Sequence, residues 1–294
     1  MVVVGSMNLD VTVQVAHIPR PGQTVLASGL RRGPGGKGAN QAVAAARCAG
    51  APVVMVAAVG ADPDGVLLVD RLQAEGVDTT AVTVLPNEVS GTALITVDDV
   101  GANTIVVAAG ANAALRMTPA AQRTLQQADV VLAQLEVPQA TLTAAARARR
   151  PGVPFILNAA PAAPLDADLA SEVDVLMVNE HEAIEVAGVG DLAAAIEQLA
   201  ERFPDVVVTL GDQGAVAVHG RRRVQVPAFP VRAVDTVAAG DTFCGVYAAG
   251  LAAGQDVEFA LRRASAAAAL TCTRPGAQES MPTSDEVAAL AGSG

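Results

Sequence analysis

The sequence predicts an α/β fold: a parallel sheet covered by helices on both faces, carrying a small separate β-lid. Three observations carry this. Short apolar β-rich runs alternate with Ala-rich helical stretches along most of the chain. The runs are continuously apolar, as expected of strands buried on both faces. Two stretches, about 9–32 and 89–108, instead alternate apolar and polar residues with no helix between them, so they belong to a second sheet. One domain over residues 1–294 is expected, with the lid strands inserted at those two places.

The elements follow in order. Strand candidates are Val2–Val4, Val53–Val59, Val130–Leu135, Phe155–Asn158, Val175–Val178 and Val206–Leu210. Helical candidates between them are Asn40–Ala49, Gly65–Glu75, Thr118–Gln127, Gln139–Arg149 and Asp191–Arg202. This alternation is the pattern of βαβ units. Val11–Val15 and Thr92–Val97 are lid strands. Ala215–His219 and Arg223–Pro227 form a hairpin around a basic turn, and Gly240–Ala253, Val257–Thr271 and Ser284–Leu290 are helices.

Composition narrows the function. Apolar residues make up 51% of the chain, which excludes a disordered protein. The mean hydropathy of +0.40 comes from Ala and Val. The longest uncharged run, Val100–Leu115, is broken by glycines and asparagines and is shorter than the ~20 apolar residues of a membrane span. With 30 acids against 19 bases, the net charge of −11 leaves no basic face for a nucleic acid. Cys48, Cys244 and Cys272 lie far apart with no C-x-x-C pattern, which suits a reducing compartment. The N-terminus lacks the basic region of a signal peptide, so a cytoplasmic protein is expected. Lys37 is the only lysine, and it stands among glycines in Gly33–Asn40. In an Arg-biased chain, a surviving Lys there points to a site too tight for a guanidinium.

Five motifs carry chemistry. Gly5-Ser-Met-Asn-Leu-Asp10 leaves the first strand at its carboxyl end, where open α/β sheets bind ligands. Asn8 and Asp10, in phase, suit neighbouring hydroxyls, although an Asx turn would look the same. Gly33–Asn40 lets backbone approach a ligand, but it is not a Walker A loop: Arg31 and Gly38 stand where that motif needs Gly and Ser or Thr. In Asp235–Phe243, small residues precede Asp241 at a helix start, which makes an anion site with an ionised acid beside it. A plain capping Asp is the other reading. Asn179 and Glu182, three apart, suit either a hydrated Mg²⁺ or a capping box. Thr209–Gly214 follows another strand and suits a nucleotide or a simple turn. No G-x-G-x-x-G fingerprint, metal-ligand spacing or nucleophile elbow is present.

Together these motifs resemble the ribokinase (pfkB-type) family of carbohydrate kinases. Gly35–Ala42 resembles the family's first signature and Asp235–Phe243 its second. Ala109–Leu115, Gln134–Glu136, Asn158–Pro161, Asn179–Glu182, Thr209–Gly214 and Arg274–Gln278 follow in the family's order. The resemblance implies a Rossmann-like three-layer α/β/α domain with a β-sheet lid, a homodimer formed through the lids, and transfer of the ATP γ-phosphoryl group to a sugar hydroxyl. It implies Asp241 as the base and the backbone of Ala238, Ala239 and Gly240 as an anion hole. It implies Asn8, Asp10, Gly36, Lys37, Gly38, Asn40 and Glu136 around the sugar, and Asn179, Thr209, Gly211, Gly214, Gly240 and Ser265 around ATP. It places Mg²⁺ near Glu182 through water, and a monovalent cation, usually K⁺, beside Asp235, Val237, Thr271, Arg274, Gly276 and Ser280. The ribokinase form of the first signature favours D-ribose. Another sugar or nucleoside acceptor (2-deoxyribose, fructose, adenosine) and a non-catalytic sensor are the rivals. Five Phe, one Tyr and no Trp disfavour a stacked purine acceptor.

Overall fold

The protein is described here by a computed structural model over residues 1–292. One sheet contains β1 (Val2–Val4), β4 (Val54–Gly60), β5 (Asp78–Leu85), β8 (Val131–Gln134), β9 (Phe155–Asn158), β10 (Val175–Asn179) and β11 (Asp205–Thr209), all parallel. β12 (Ala215–His219) and β13 (Arg222–Val226) extend it antiparallel, giving the order β13-β12-β11-β10-β9-β8-β1-β4-β5. A second sheet has the order β3-β2-β6-β7, from β2 (Asn8–Val15), β3 (Ala27–Gly35), β6 (Gly91–Val97) and β7 (Asn103–Ala108).

The helices are α1 (Lys37–Val43, continued by a π turn over Ala44–Cys48), α2 (Pro63–Ala74), α3 (Pro119–Leu125), α4 (Gln139–Ala148), α5 (Ala167–Ala170), α6 (Glu180–Ala187), α7 (Leu192–Arg202), α8 (Ala239–Ala252), α9 (Val257–Thr271) and α10 (Ser284–Ala291). Their starts follow from local chemistry. Asp62, Thr118, Asp191 and Asp256 each accept a backbone N–H of the first turn, and Pro63 and Pro119 occupy the first helical position, where the missing N–H costs nothing.

Alternation along β1 shows the layering. Val3 packs with Met55, Phe243, Tyr247 and Leu261 under α1, α8 and α9. Val2 and Val4 pack with Leu125, Leu142, Ala183 and Leu199 under α3, α4, α6 and α7. With apolar residues on both faces, the strand cannot sit anywhere but in the middle layer.

Several elements differ from the sequence expectation, among them the short helices α5 and α6, which have no counterpart among the expected helices. β5 has no counterpart among the expected strands. It is an edge strand whose Thr-rich run has one wet face, so it lacks the continuous apolar signal of its neighbours. α1 starts at Lys37 rather than Asn40, because Gly36 turns the chain with φ 89°, and a Cβ there would stand 2.7 Å from the Asn8 nitrogen.

Candidate active site

Strand order reverses at β1: β4 and β5 lie to one side of it, β8 to β13 to the other. Ligands of open α/β sheets bind beyond the carboxyl ends at such a point. A cleft of about 230 Å³ opens beyond the carboxyl ends of β9, β10 and β11 on the same side of the sheet, lined by Lys37, Asn158, Asn179, Glu182, Thr209, Ala238, Gly240, Asp241 and Cys244 among others.

Asp241 is in the first turn of α8 and buried. Its Oδ2 accepts from Asn40 Nδ2 and its Oδ1 from Gln41 Nε2, both at 3.0 Å. Gln278 Nε2 in turn donates to Asn40 Oδ1 at 3.1 Å. Hydrogen bonds to an ionised acceptor are the strong kind, so the carboxylate is held at both oxygens. α1 comes this close because Gly245 has no side chain: a Cβ there would stand 2.4 Å from the Gln41 carbonyl oxygen.

The turn ahead of Asp241 is bare. Ala238 has φ 61°, the one non-glycine residue in the left-handed region among the described residues, a conformation that costs of order 1–3 kcal/mol. Strain of this kind collects at functional sites. A Cβ on Gly240 would meet nothing within 4 Å, so backbone faces open space at the positive end of α8. Ala239 N donates to Thr236 O at a long 3.3 Å.

The exits of β1 and β8 bring a second, carboxylate-rich group of side chains together beside Lys37. Glu136 Oε2 accepts from Ser6 Oγ at 2.5 Å and from Lys37 N at 2.9 Å. Asn8 is buried and its Oδ1 accepts from Asn112 Nδ2 at 2.8 Å. The backbone N–H of Met7 donates to the Asn112 side-chain oxygen at 3.0 Å, which ties the exit of β1 to the lid. Burial pushes the Asp10 carboxyl up to about 7, helped by the charges of Glu136, Asp241 and Glu279. Asp241, against the cost of burial, holds the Lys37 ammonium above its usual value, so it stays charged. Burial raises the Glu182 carboxyl. Gly36 and Gly38 are required by close approach; a Cβ on Gly38 would stand 2.6 Å from the Ser6 nitrogen.

The other expected positions divide. Asn179 and Glu182 form a complete capping box on α6, each side chain accepting the other's backbone N–H at 2.8 Å, and both also line the cleft. Thr209 lines the cleft; Gly211 follows it on an exposed turn. Gly214 is buried with φ 96°, where a Cβ would stand 2.1 Å from the Val226 carbonyl oxygen, so the β11–β12 hairpin itself demands glycine. Ser265 is buried on α9, is not part of the cleft wall, and its hydroxyl has no hydrogen-bond partner among the described residues.

Around Asp235, its Oδ1 accepts from Val237 N and its Oδ2 from Gly276 N, both at 3.0 Å. Thr271 Oγ1 is turned into α9, donating to Ala267 O at 3.0 Å. Ser280 Oγ donates to Ala277 O at 2.7 Å. The Arg274 guanidinium leaves the loop to pair with Glu286. The donors left to the loop are one carboxylate and backbone carbonyls, which suit a singly charged ion. Among the described residues no cluster of three or more His, Cys, Asp or Glu offers a dense metal cage.

Gln41, Gln134, Asn158 and Gln278 join the hydrogen-bond network around Asp241 and Asn40, and no role follows for them from the sequence alone. Their signal is position: each lies in or beside a Gly-rich segment or at the end of a strand, and all four are buried amides. Among the described residues, no helix is long and apolar enough to cross a membrane.

The geometry can be set against known proteins. The chain is 40% identical over 294 residues to the ribokinase of Bacillus subtilis, covering 98% of each. It is 34% identical to a deoxyribokinase of Salmonella typhi, covering 97% of this chain and 96% of that one. It superposes on a structure of Arabidopsis thaliana ribokinase complexed with ribose and ATP with a TM-score of 0.92 at 32% identity, covering 99% and 97%. The family described as pfkB family carbohydrate kinase matches residues 1–284, both of the sheets and the whole cleft included. The family match and the curated relatives thus span both sheets and the cleft, and the chain belongs to the pfkB family of carbohydrate kinases.

Proposed function

We propose that the chain transfers the γ-phosphoryl group of ATP to the 5-hydroxyl of D-ribose, giving D-ribose 5-phosphate and ADP. The observation that carries this is Asp241, held by two amide donors at the open N-terminus of α8 in the same cleft as Lys37. Phosphoryl transfer asks a protein for positioning and charge stabilisation above all. Asp241 takes the hydroxyl proton as the sugar oxygen attacks phosphorus and the bond to the β-phosphate oxygen breaks. The backbone of Ala238, Ala239 and Gly240 faces the charge that develops on the transferring group.

Asn8, Asp10, Lys37, Asn40 and Glu136, with the glycine backbone at Gly36 and Gly38, surround the sugar. Asp10 and Asn8 address adjacent hydroxyls, as an acceptor beside a donor–acceptor pair can. Asn179, Thr209, Gly211, Gly214, Gly240 and Ser265 are the residues assigned to the nucleotide. Mg²⁺, held through water by Glu182, would supply charge neutralisation on the phosphates. A K⁺ ion among Asp235 and the carbonyls of the 271–280 loop would stiffen the backbone next to the anion hole.

Leu30, Leu94, Ile105, Val106 and Val107 are about half exposed or more on the lid. We infer a homodimer formed through the lids in the cytoplasm, to be read by light scattering on the wild type and on Val106→Glu.

The deciding experiment is ADP release with ribose, 2-deoxyribose, fructose and adenosine at equal concentrations. The expected result is the highest kcat/KM with ribose. A higher value with 2-deoxyribose reassigns the acceptor within the family, and ribose binding without ADP release makes the chain a sensor.

A further inference from the structure

We propose that Gln41 is the positioning residue of the reaction: it sets the orientation and basicity of Asp241 through one hydrogen bond whose direction the fold fixes, without touching either substrate. This rests on Asp241 being the base. Gln41 is fully buried and presents no surface to a ligand. Its amide is satisfied in one sense only. Nε2 donates to Asp241 Oδ1 and to Asn158 Oδ1, each at 3.0 Å, while Oε1 accepts from Gln134 Nε2 at 2.6 Å. Asn158 is itself oriented from the backbone, since its Nδ2 donates to Met177 O at 3.2 Å and so turns its oxygen towards Gln41.

Turning the Gln41 amide over would set its oxygen against the Asp241 carboxylate and the Asn158 oxygen, and its nitrogen against the Gln134 nitrogen. The contacts with the Asp241 carboxylate and with the Asn158 oxygen, which Met177 O holds in place, would both be repulsive, so the donor cannot leave Asp241 by rotating. The relay therefore runs from a β10 carbonyl, through Asn158 and Gln41, to one oxygen of the base. Asn40 holds the other oxygen and is also assigned to the sugar. Gln41 has no such second duty, so its effect on the reaction passes through Asp241 alone. A hydrogen bond donated to the ionised form favours that form and fixes the carboxylate plane. Removing it frees the plane and makes the group more basic, so a larger share is protonated, and unable to act, at a given pH.

The test is kcat against pH at saturating ribose and Mg²⁺-ATP, with both KM values, for wild type, Gln41→Glu, Gln134→Met and Asp241→Asn. Gln41→Glu keeps the shape and the acceptor for Gln134 but offers Asp241 an oxygen. It should lower kcat about ten- to a hundredfold, as loss of one hydrogen bond to a charged group does, and move the acid limb up by about one to two pH units. Both KM values should stay within about threefold, the mark of a group that acts on the transition state only. Gln134→Met removes the donor that orients Gln41 and should shift kcat and the limb in the same direction by less. A folded Gln41→Glu with wild-type kcat and limb, or one with raised KM and unchanged kcat, overturns the proposal. If Gln41→Glu does not fold, an unchanged pH profile in Gln134→Met overturns it instead. An active Asp241→Asn overturns the base itself. An inactive Asp241→Asn beside indifferent Gln41 and Gln134 variants overturns the positioning role alone.

Discussion

Gly245 and Gln41 touch backbone to backbone across α8 and α1: a Cβ at Gly245 would lie 2.4 Å from the Gln41 carbonyl oxygen and 2.9 Å from the Ala44 methyl group. The two helices meet at a distance that only a glycine allows, one turn below Asp241. Gly245→Ala should therefore separate them, costing about 1–3 kcal/mol of stability as overpacked cores do. It should also lower kcat, because the amides of Asn40 and Gln41 retreat from the carboxylate. Urea unfolding and steady-state rates on the same preparation check both, and a destabilised variant with full kcat would show that the contact serves packing only.

Asp241→Asn should lose turnover by at least about a hundredfold, the lower end of what general base help supplies. Calorimetric binding of ribose and of ATP should persist, since the amide keeps the shape of the site. A rate within about threefold of wild type, against that range, removes Asp241 from the base role.

Asp10 couples function to stability through its proton. Its carboxyl is raised from 3.8 in the unfolded reference to about 7 in the folded, ligand-free protein. Between those values the folded state holds a proton that the unfolded chain has released. Stability from this group therefore falls as pH rises through that window, and the full cost is present above it. Asp10→Asn should raise the Tm of the ligand-free protein at pH 8, with the gain fading towards pH 4. It should also raise the ribose KM by about tenfold or more, because an ionised acceptor is lost. In the wild type, ribose affinity should weaken as pH falls below about 7. A Tm gain that is the same at both pH values would show that the cost is not the proton's.

Exchange of the monovalent ion gives a fourth expectation. Asp235 holds Val237 N with one oxygen and Gly276 N with the other, so one carboxylate ties the loop after α9 to the turn before α8. K⁺, which accepts carbonyl oxygens in place of its hydration shell, should raise the initial rate above that in Na⁺ at constant ionic strength. Equal rates in K⁺, Na⁺ and a large organic cation would make the loop purely structural.

Much of this was legible in the residues and part was not. Continuous apolar runs such as Val2–Val4 and Phe155–Asn158 announce strands buried on both faces, and the bare run before Asp241 announces a helix start open to an anion. What the chain does not announce is which amide faces which acid. Asn40 and Asp241 are 201 positions apart, and the direction of the Gln41 amide is decided by a β10 carbonyl two residues removed from it in the relay. β5 escaped because an edge strand with a wet face needs no apolar continuity. The Asn179–Glu182 spacing fitted a capping box as well as a Mg²⁺ site; the structure forms the capping box on α6 and leaves the same pair lining the cleft.

The solitary lysine has a consequence for handling the protein. Among these 294 residues the only ε-amine is that of Lys37, and the neighbouring Asp241 charge keeps it protonated and so a poor nucleophile. The α-amino group of Met1 is engaged with the Pro52 carbonyl oxygen at 3.0 Å. Acylating dyes, amine-directed cross-linkers and lysine-coupled resins thus find no lysine to react with on the outside of the molecule. Whatever slow labelling they achieve at Lys37 falls inside the cleft, where a bound substrate would shield it, so the extent of acylation reads the occupancy of the site rather than the state of the surface.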